Sequence, residues 1–170
     1  NSEILPGTEA NIAYQAARLF FGHTRLKGGA AIHLVKHIPI QAGLAGGSAD
    51  AAGVLAGLNR LYGTGLSLEE LGSLGARLGA DVPFCLKGGC MLSQGIGDVL
   101  TPLQSRFSTS LLIAKPKKGI ATAEAYRAID RCSISRRPSL EKMLSALREG
   151  ATELVGRQLC NVFEDYASAV

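Results

Sequence analysis

Two short stretches of the chain carry residue types suited to chemistry on a phosphate. The first is Pro39-Ile40-Gln41-Ala42-Gly43-Leu44-Ala45-Gly46-Gly47-Ser48-Ala49, a loop with three glycines that runs into an apolar helical repeat. Glycine permits φ > 0 and puts no Cβ between the backbone and a ligand. The unpaired N–H groups and the dipole at a helix start attract an anion. Ser48 adds a hydroxyl for a phosphate oxygen or a magnesium-bound water. The same glycines would also suit a loop that merely lets a helix pack closely. The pattern is not a Walker A loop, because no Lys precedes Ser48, and the spacing of Gly43, Gly46 and Gly47 does not fit G-x-G-x-x-G.

The second stretch is Leu78-Gly79-Ala80-Asp81-Val82-Pro83-Phe84. An Asp held between a helix-ending Gly and an apolar segment can take a proton from a hydroxyl. Asp in such a place also serves as an Asx-turn or cap. The remaining chemistry-bearing residues are quieter. Cys85, Cys90, Cys132 and Cys160 form no Cys-x-x-Cys pair and have no His at zinc-finger spacing, so they read as reduced, partly buried thiols. His33 and His37 lie in a stretch that alternates like a strand, which does not favour a metal pair.

The elements that must position these residues follow from periodicity. Ile12, Ala16, Leu19 and Phe20 share one face of a helix over residues 9–21. A strand is expected over 30–36. A helix from Ser48 to about Leu61 buries Ala51, Ala52, Leu55 and Leu58. Ser67-Leu68-Glu69-Glu70 is a capping box that opens a helix to Leu78, with Gly79 as its left-handed stop. Short β-like pieces are expected at 82–86, 90–94 and 98–103, with turns at Gly88-Gly89 and at Gly95-Ile96-Gly97-Asp98. Residues 110–114 read as a buried strand. Helices are expected at 122–130, from an N-cap at Ser139 to Gly150, and at 151–159. Helices and strands mix without regular βαβ alternation, which points to an α+β fold. The polar stretch Thr101-Pro102-Leu103-Gln104-Ser105 is the natural domain boundary.

Pro39, Gly43, Leu44, Ala45, Ser48 and Ala49 resemble the second motif of the GHMP kinases, the family of galactokinase, homoserine kinase and mevalonate kinase. Together with Gly-Ala-Asp-Val-Pro-Phe they are similar to the branch whose substrate is a methylerythritol carrying a cytidine diphosphate. Asn11-Ile12 with Ala16-Ala17, the Gly95–Asp98 turn and Asn161-Val162-Phe163-Glu164 extend the likeness along nearly the whole chain. The resemblance implies a two-domain kinase of isoprenoid precursor synthesis. Residues 1–104 would form an ATP-binding domain like ribosomal protein S5 domain 2, and residues 105–170 a ferredoxin-like domain, both incomplete.

The resemblance also assigns roles. Asp81 would be the base for the substrate 2-hydroxyl. Lys36 and the loop Pro39, Ile40, Gln41, Ala42, Gly43, Leu44, Ala45, Gly46, Gly47, Ser48 and Ala49 would hold ATP with Mg2+, without a metal site of the protein's own. Thr122 and Tyr126 would line the cytidine pocket, with Tyr126 stacking on the base. The bland readings are an exposed strand lysine for Lys36 and a half-buried helix residue for Tyr126. The family's N-terminal Pro-x-Lys-x-Asn motif, its N-terminal Tyr-His region and its C-terminal glycine-rich motif are not in this sequence. The expectation is therefore a fragment, inactive alone, of a cytoplasmic bacterial kinase that is a monomer or weak homodimer. A kinase of the homoserine or mevalonate type, or a non-catalytic nucleotide-binding protein, remains open.

Composition bounds these readings. The chain has 170 residues, 46% hydrophobic and 19% charged, with a net charge of +4. That is too apolar for disorder, and no uninterrupted apolar run reaches the roughly 18 residues of a membrane span. Lys115, Lys117 and Lys118, and Arg131, Arg136 and Arg137, read as solvated loop charge rather than a nucleic-acid stripe.

Overall fold

A computed structural model describes residues 8–40, 42–114, 122–131, 133–134 and 136–164. The chain divides into two compact units, Asn1–Pro102 and Leu103–Val170.

In the first unit a 3-10 turn, Thr8–Ala10, leads into α1, Ile12–Thr24. Asn11 caps α1 by accepting from the Ala13 N–H at 3.0 Å. The helix α2, Gly46–Tyr62, lies against α1 and ends at Gly63 with φ 60°. Ala51, Ala52, Leu55 and Leu58 of α2 are buried against Ala16 and Phe20 of α1, with Leu71 and Val82 completing the cluster. Those four α2 residues are the ones that helical spacing selects. On α1 the buried face is Ala13, Ala16 and Phe20. Tyr62 closes one end of the cluster, its ring edge-on to Phe21 at 5.3 Å and its hydroxyl donating to the Gly29 carbonyl.

The helix α3, Leu68–Ala76, opens on the expected capping box. The Glu70 N–H donates to Ser67 Oγ at 3.2 Å and the Ser67 N–H donates to Glu70 at 2.8 Å. It stops earlier than expected. Arg77 caps it in right-handed conformation, and Gly79 is not left-handed. The chain leaves α3 through tight bonds from the Leu78 and Gly79 N–H groups to the Gly75 carbonyl.

Residues 82–86 form no strand; Val82–Lys87 is a short helix, α4. Pro83 sits in its first turn, where the missing N–H costs nothing. Val82 is fully buried, and Gly75 makes room for it: a Cβ on Gly75 would stand 2.6 Å from Val82 Cγ1. The short apolar run suggested a strand, but Val82 and Pro83 are buried together in the first turn of a helix. The hairpin β1, Met91–Gln94, and β2, Val99–Pro102, is antiparallel with Met91 opposite Pro102 and Gln94 opposite Val99. Its turn uses Gly95 at φ 67° and Gly97 at φ 106°.

The expected strand at 30–36 is absent; those residues are irregular and mostly exposed. A strand needs a neighbour for its N–H and C=O groups, and among the described residues this segment makes no backbone bond to one. Residues 110–114 differ from expectation in the same way. Leu111 and Leu112 are 81% and 98% exposed rather than buried.

The second unit contains α5, Thr122–Ile129, α6, Leu140–Glu149, and α7, Thr152–Gln158. Ile129, Ala146 and Val155 are its buried apolar residues among those described. Ser139 occupies the N-cap position of α6 but makes no side-chain capping bond. Gly150 ends α6 in left-handed conformation, with its Cβ position 3.0 Å from Arg106. Cys85, Cys90 and Cys160 are unbridged and half-buried, while Cys132 lies outside the described residues.

Candidate active site

The start of α2 is chemically bare. Its N-cap, Ala45, adopts a left-handed φ of 51° and offers no side-chain acceptor. The first bond of the helix runs from the Ala49 N–H to the Ala45 carbonyl. Among the described residues nothing accepts from the N–H groups of Gly46, Gly47 or Ser48. Three free donors at the positive end of a 17-residue helix form an anion-attracting mouth. Gly43, at φ 68°, has open space where a Cβ would be. Gln41 lies outside the described residues; of the others that precede the helix, Pro39, Ile40 and Ala42 are half-buried and Leu44 is exposed.

Asp81 stands at the corner between α3 and α4. It occupies the N-cap position of α4 without making a capping bond, and it is exposed. The cap reading of this residue therefore does not hold. Ser48 faces this corner: its Oγ is 3.9 Å from the Cβ position of Gly79, two residues before Asp81. On another side, the hairpin turn places the Cβ position of Gly97 3.6 Å from Ala80 Cβ. The two motifs, distant in sequence, thus meet in one unit. Burial, and secondarily the charge of Asp81 itself, raises the pKa of Cys85 above the ordinary thiol value.

Lys36 is neither on a strand nor facing open solvent. Its Nζ donates to Asp50 Oδ2 at 2.5 Å and to the Gly46 carbonyl at 3.1 Å. Sequence reasoning missed Asp50, although an acid one turn inside a glycine-rich helix start is a visible signal. In the second unit Tyr126 is exposed on α5, its ring edge-on to Phe163 at 5.1 Å. Phe163 was also missed. The side chain of Thr122 lies outside the described residues.

Residues 11–89 match the GHMP kinases N terminal domain. The particular relatives share one name. A 4-diphosphocytidyl-2-C-methyl-D-erythritol kinase of Caldicellulosiruptor saccharolyticus is 47% identical over 164 residues, 96% of this chain and 57% of the relative. The Clostridium novyi protein of that name is 41% identical over 165 residues, 97% of this chain and 59% of the relative. A crystal structure of 4-(cytidine 5'-diphospho)-2C-methyl-D-erythritol kinase matches with a TM-score of 0.73 at 33% identity, covering 98% of this chain and 59% of that one. The chain thus spans somewhat over half the length of the relatives it matches. The α+β fold is that of this family.

Proposed function

We propose that the chain is part of an ATP-dependent kinase that phosphorylates the 2-hydroxyl of 4-diphosphocytidyl-2-C-methyl-D-erythritol, a step of the non-mevalonate isoprenoid pathway. The observation that carries this is the meeting of Ser48, at the uncapped start of α2, with the corner that presents an exposed Asp81 whose side chain makes no capping bond among the described residues. The names of the relatives supply the substrate.

Phosphoryl transfer asks a protein mainly for position and charge. The N–H groups of Gly46, Gly47 and Ser48 hold the nucleotide phosphates. The exposed Asp81 carboxylate orients the attacking hydroxyl and accepts its proton. Residues 1–104 act as the nucleotide domain and residues 105–170 as part of the second domain, where Thr122 and Tyr126 meet the cytidine. Mg2+ would be carried by the nucleotide phosphates, with the Ser48 hydroxyl at the open start of α2 placed to meet it or its water. When bound it neutralises charge on the transferred phosphate. No described helix is long and apolar enough to cross a membrane, and a cytoplasmic setting suits these substrates.

The test is Asp81→Asn in the protein at its full natural length. ADP release with the cytidyl substrate should fall about 100-fold or more, while ATP affinity stays within about twofold. Retained turnover would remove Asp81 from the mechanism. Absence of turnover in the unsubstituted protein would remove the kinase reading.

A further inference from the structure

The placement of Lys36 is electrostatically odd. Cations are unfavourable near a helix N-terminus, where the dipole is already positive, yet Lys36 Nζ lies beside the first turn of α2. It reaches the carbonyl of Gly46, the first residue of that helix, and the carboxylate of Asp50, one turn further in. Both side chains are largely covered, 16% and 23% exposed, so water screens the pair less than it would on an open surface. The same segment closes on Gly46 from another side. A Cβ on that residue would stand 2.9 Å from Ile38 Cγ2 and 3.4 Å from Lys36 Nζ. Gly46 is thus gripped at its carbonyl and at its α-carbon, and only its N–H is left open. The preceding Ala45 is held in a left-handed conformation that a non-glycine residue adopts only when its surroundings impose it.

We infer that Lys36 and Asp50 form a clamp that positions the N–H groups of 46–48 for phosphate, rather than Lys36 contacting the nucleotide. Lys36 and Asp50 are in this sense positioning residues. The inference rests on the proposal that the α2 start binds phosphate. With two of its three N–H donors spent on the Gly46 carbonyl and Asp50, Lys36 has only the third to offer a phosphate, and Asp50 competes with that ligand for its charge. The two arrangements therefore respond oppositely to loss of Asp50. In the clamp, Asp50→Asn frees Gly46 and weakens nucleotide binding. In direct contact, the same change releases Lys36 toward the phosphate and tightens it.

The experiment measures steady-state kinetics of Lys36→Met, Asp50→Asn and the double variant at full natural length, with ATP affinity measured separately at equilibrium. The clamp gives an ATP KM raised about tenfold in each single variant, as expected for loss of a charged hydrogen bond. The double variant is no worse than either single one, and kcat and the KM for the alcohol stay within about twofold. Asp50→Asn is nearly isosteric and carries the test should Lys36→Met fail to fold. A lowered ATP KM in Asp50→Asn overturns the clamp in favour of direct contact. A fall in melting temperature with unchanged ATP affinity overturns it in favour of a purely structural pair. Gly47→Asp separates the two levels: an acid in the first turn suits the helix but repels phosphate. If Gly47→Asp leaves ATP affinity intact, the phosphate reading of the loop falls, and the clamp with it. If it abolishes ATP binding while the Lys36 and Asp50 variants do not alter it, only the clamp fails.

Discussion

The helices α2 and α3 begin in the same unit, and their first turns are built in opposite ways. At α3, Ser67 and Glu70 satisfy each other's N–H groups, and two acids, Glu69 and Glu70, face the positive end of the dipole. At α2 there is no side-chain cap and no acid in the first turn, and the N-cap residue holds a left-handed conformation. The longer helix, with four buried residues against three, is the one left open. Its core residues Ala51, Ala52, Leu55 and Leu58 stabilise it enough that its end can be left to a ligand. A helix start without its own acceptors is where an anion gains most.

Three variants sharpen this contrast. Ser67→Ala removes the α3 cap and should lower unfolding free energy by about 1 kcal/mol in urea titrations, with ATP affinity unchanged. A loss of ATP affinity would mean that the two helix starts are not independent. Ala45→Gly acts at the α2 start in the opposite direction. It relieves the left-handed alanine and should raise stability by about 0.5 kcal/mol in the same titrations. A fall would show that the alanine side chain itself holds the loop.

The smallest effect is in pH. The Ser67 N–H, then the Ser67 hydroxyl, hold the Glu70 carboxyl below its ordinary pKa. A depressed carboxylate contributes stability above its unfolded pKa and loses it as pH falls through the folded one. The stability difference between the protein and Glu70→Gln should therefore shrink between about pH 5 and pH 3 in thermal melts. A difference that is flat across that range would mean that the capping carboxylate is not used as a charge.

Much of the candidate site was legible without the fold. The glycine loop, Ser48 and Asp81 stand out by residue type, and the capping box at Ser67 is a local pattern that the structure reproduces bond for bond. Asp50 was visible as an acid one turn inside the helix start, but its pairing with Lys36 was not legible, nor was the contact of Phe163 with Tyr126, because those partners are far away in sequence. Residues 82–86 misled in a different way. A short apolar run with a Pro suits a buried strand or the first turn of a helix equally, and only the fit of Val82 against Gly75 decides between them.

The sequence by itself determined the helices α1, α2 and α3 and the buried face of α2, since helical bonds and helical spacing are local properties of the chain. It also offered the glycine-rich stretch that we propose for phosphate. Tertiary structure decided that Ser48 faces the Asp81 corner and that Lys36 grips Gly46 and Asp50. It also left residues 30–36 without the strand that their alternation suggests, and residues 110–114 without the one that their apolar run suggests. Each of these depends on which distant segment comes alongside, and a strand or an ion pair has no geometry until its partner arrives.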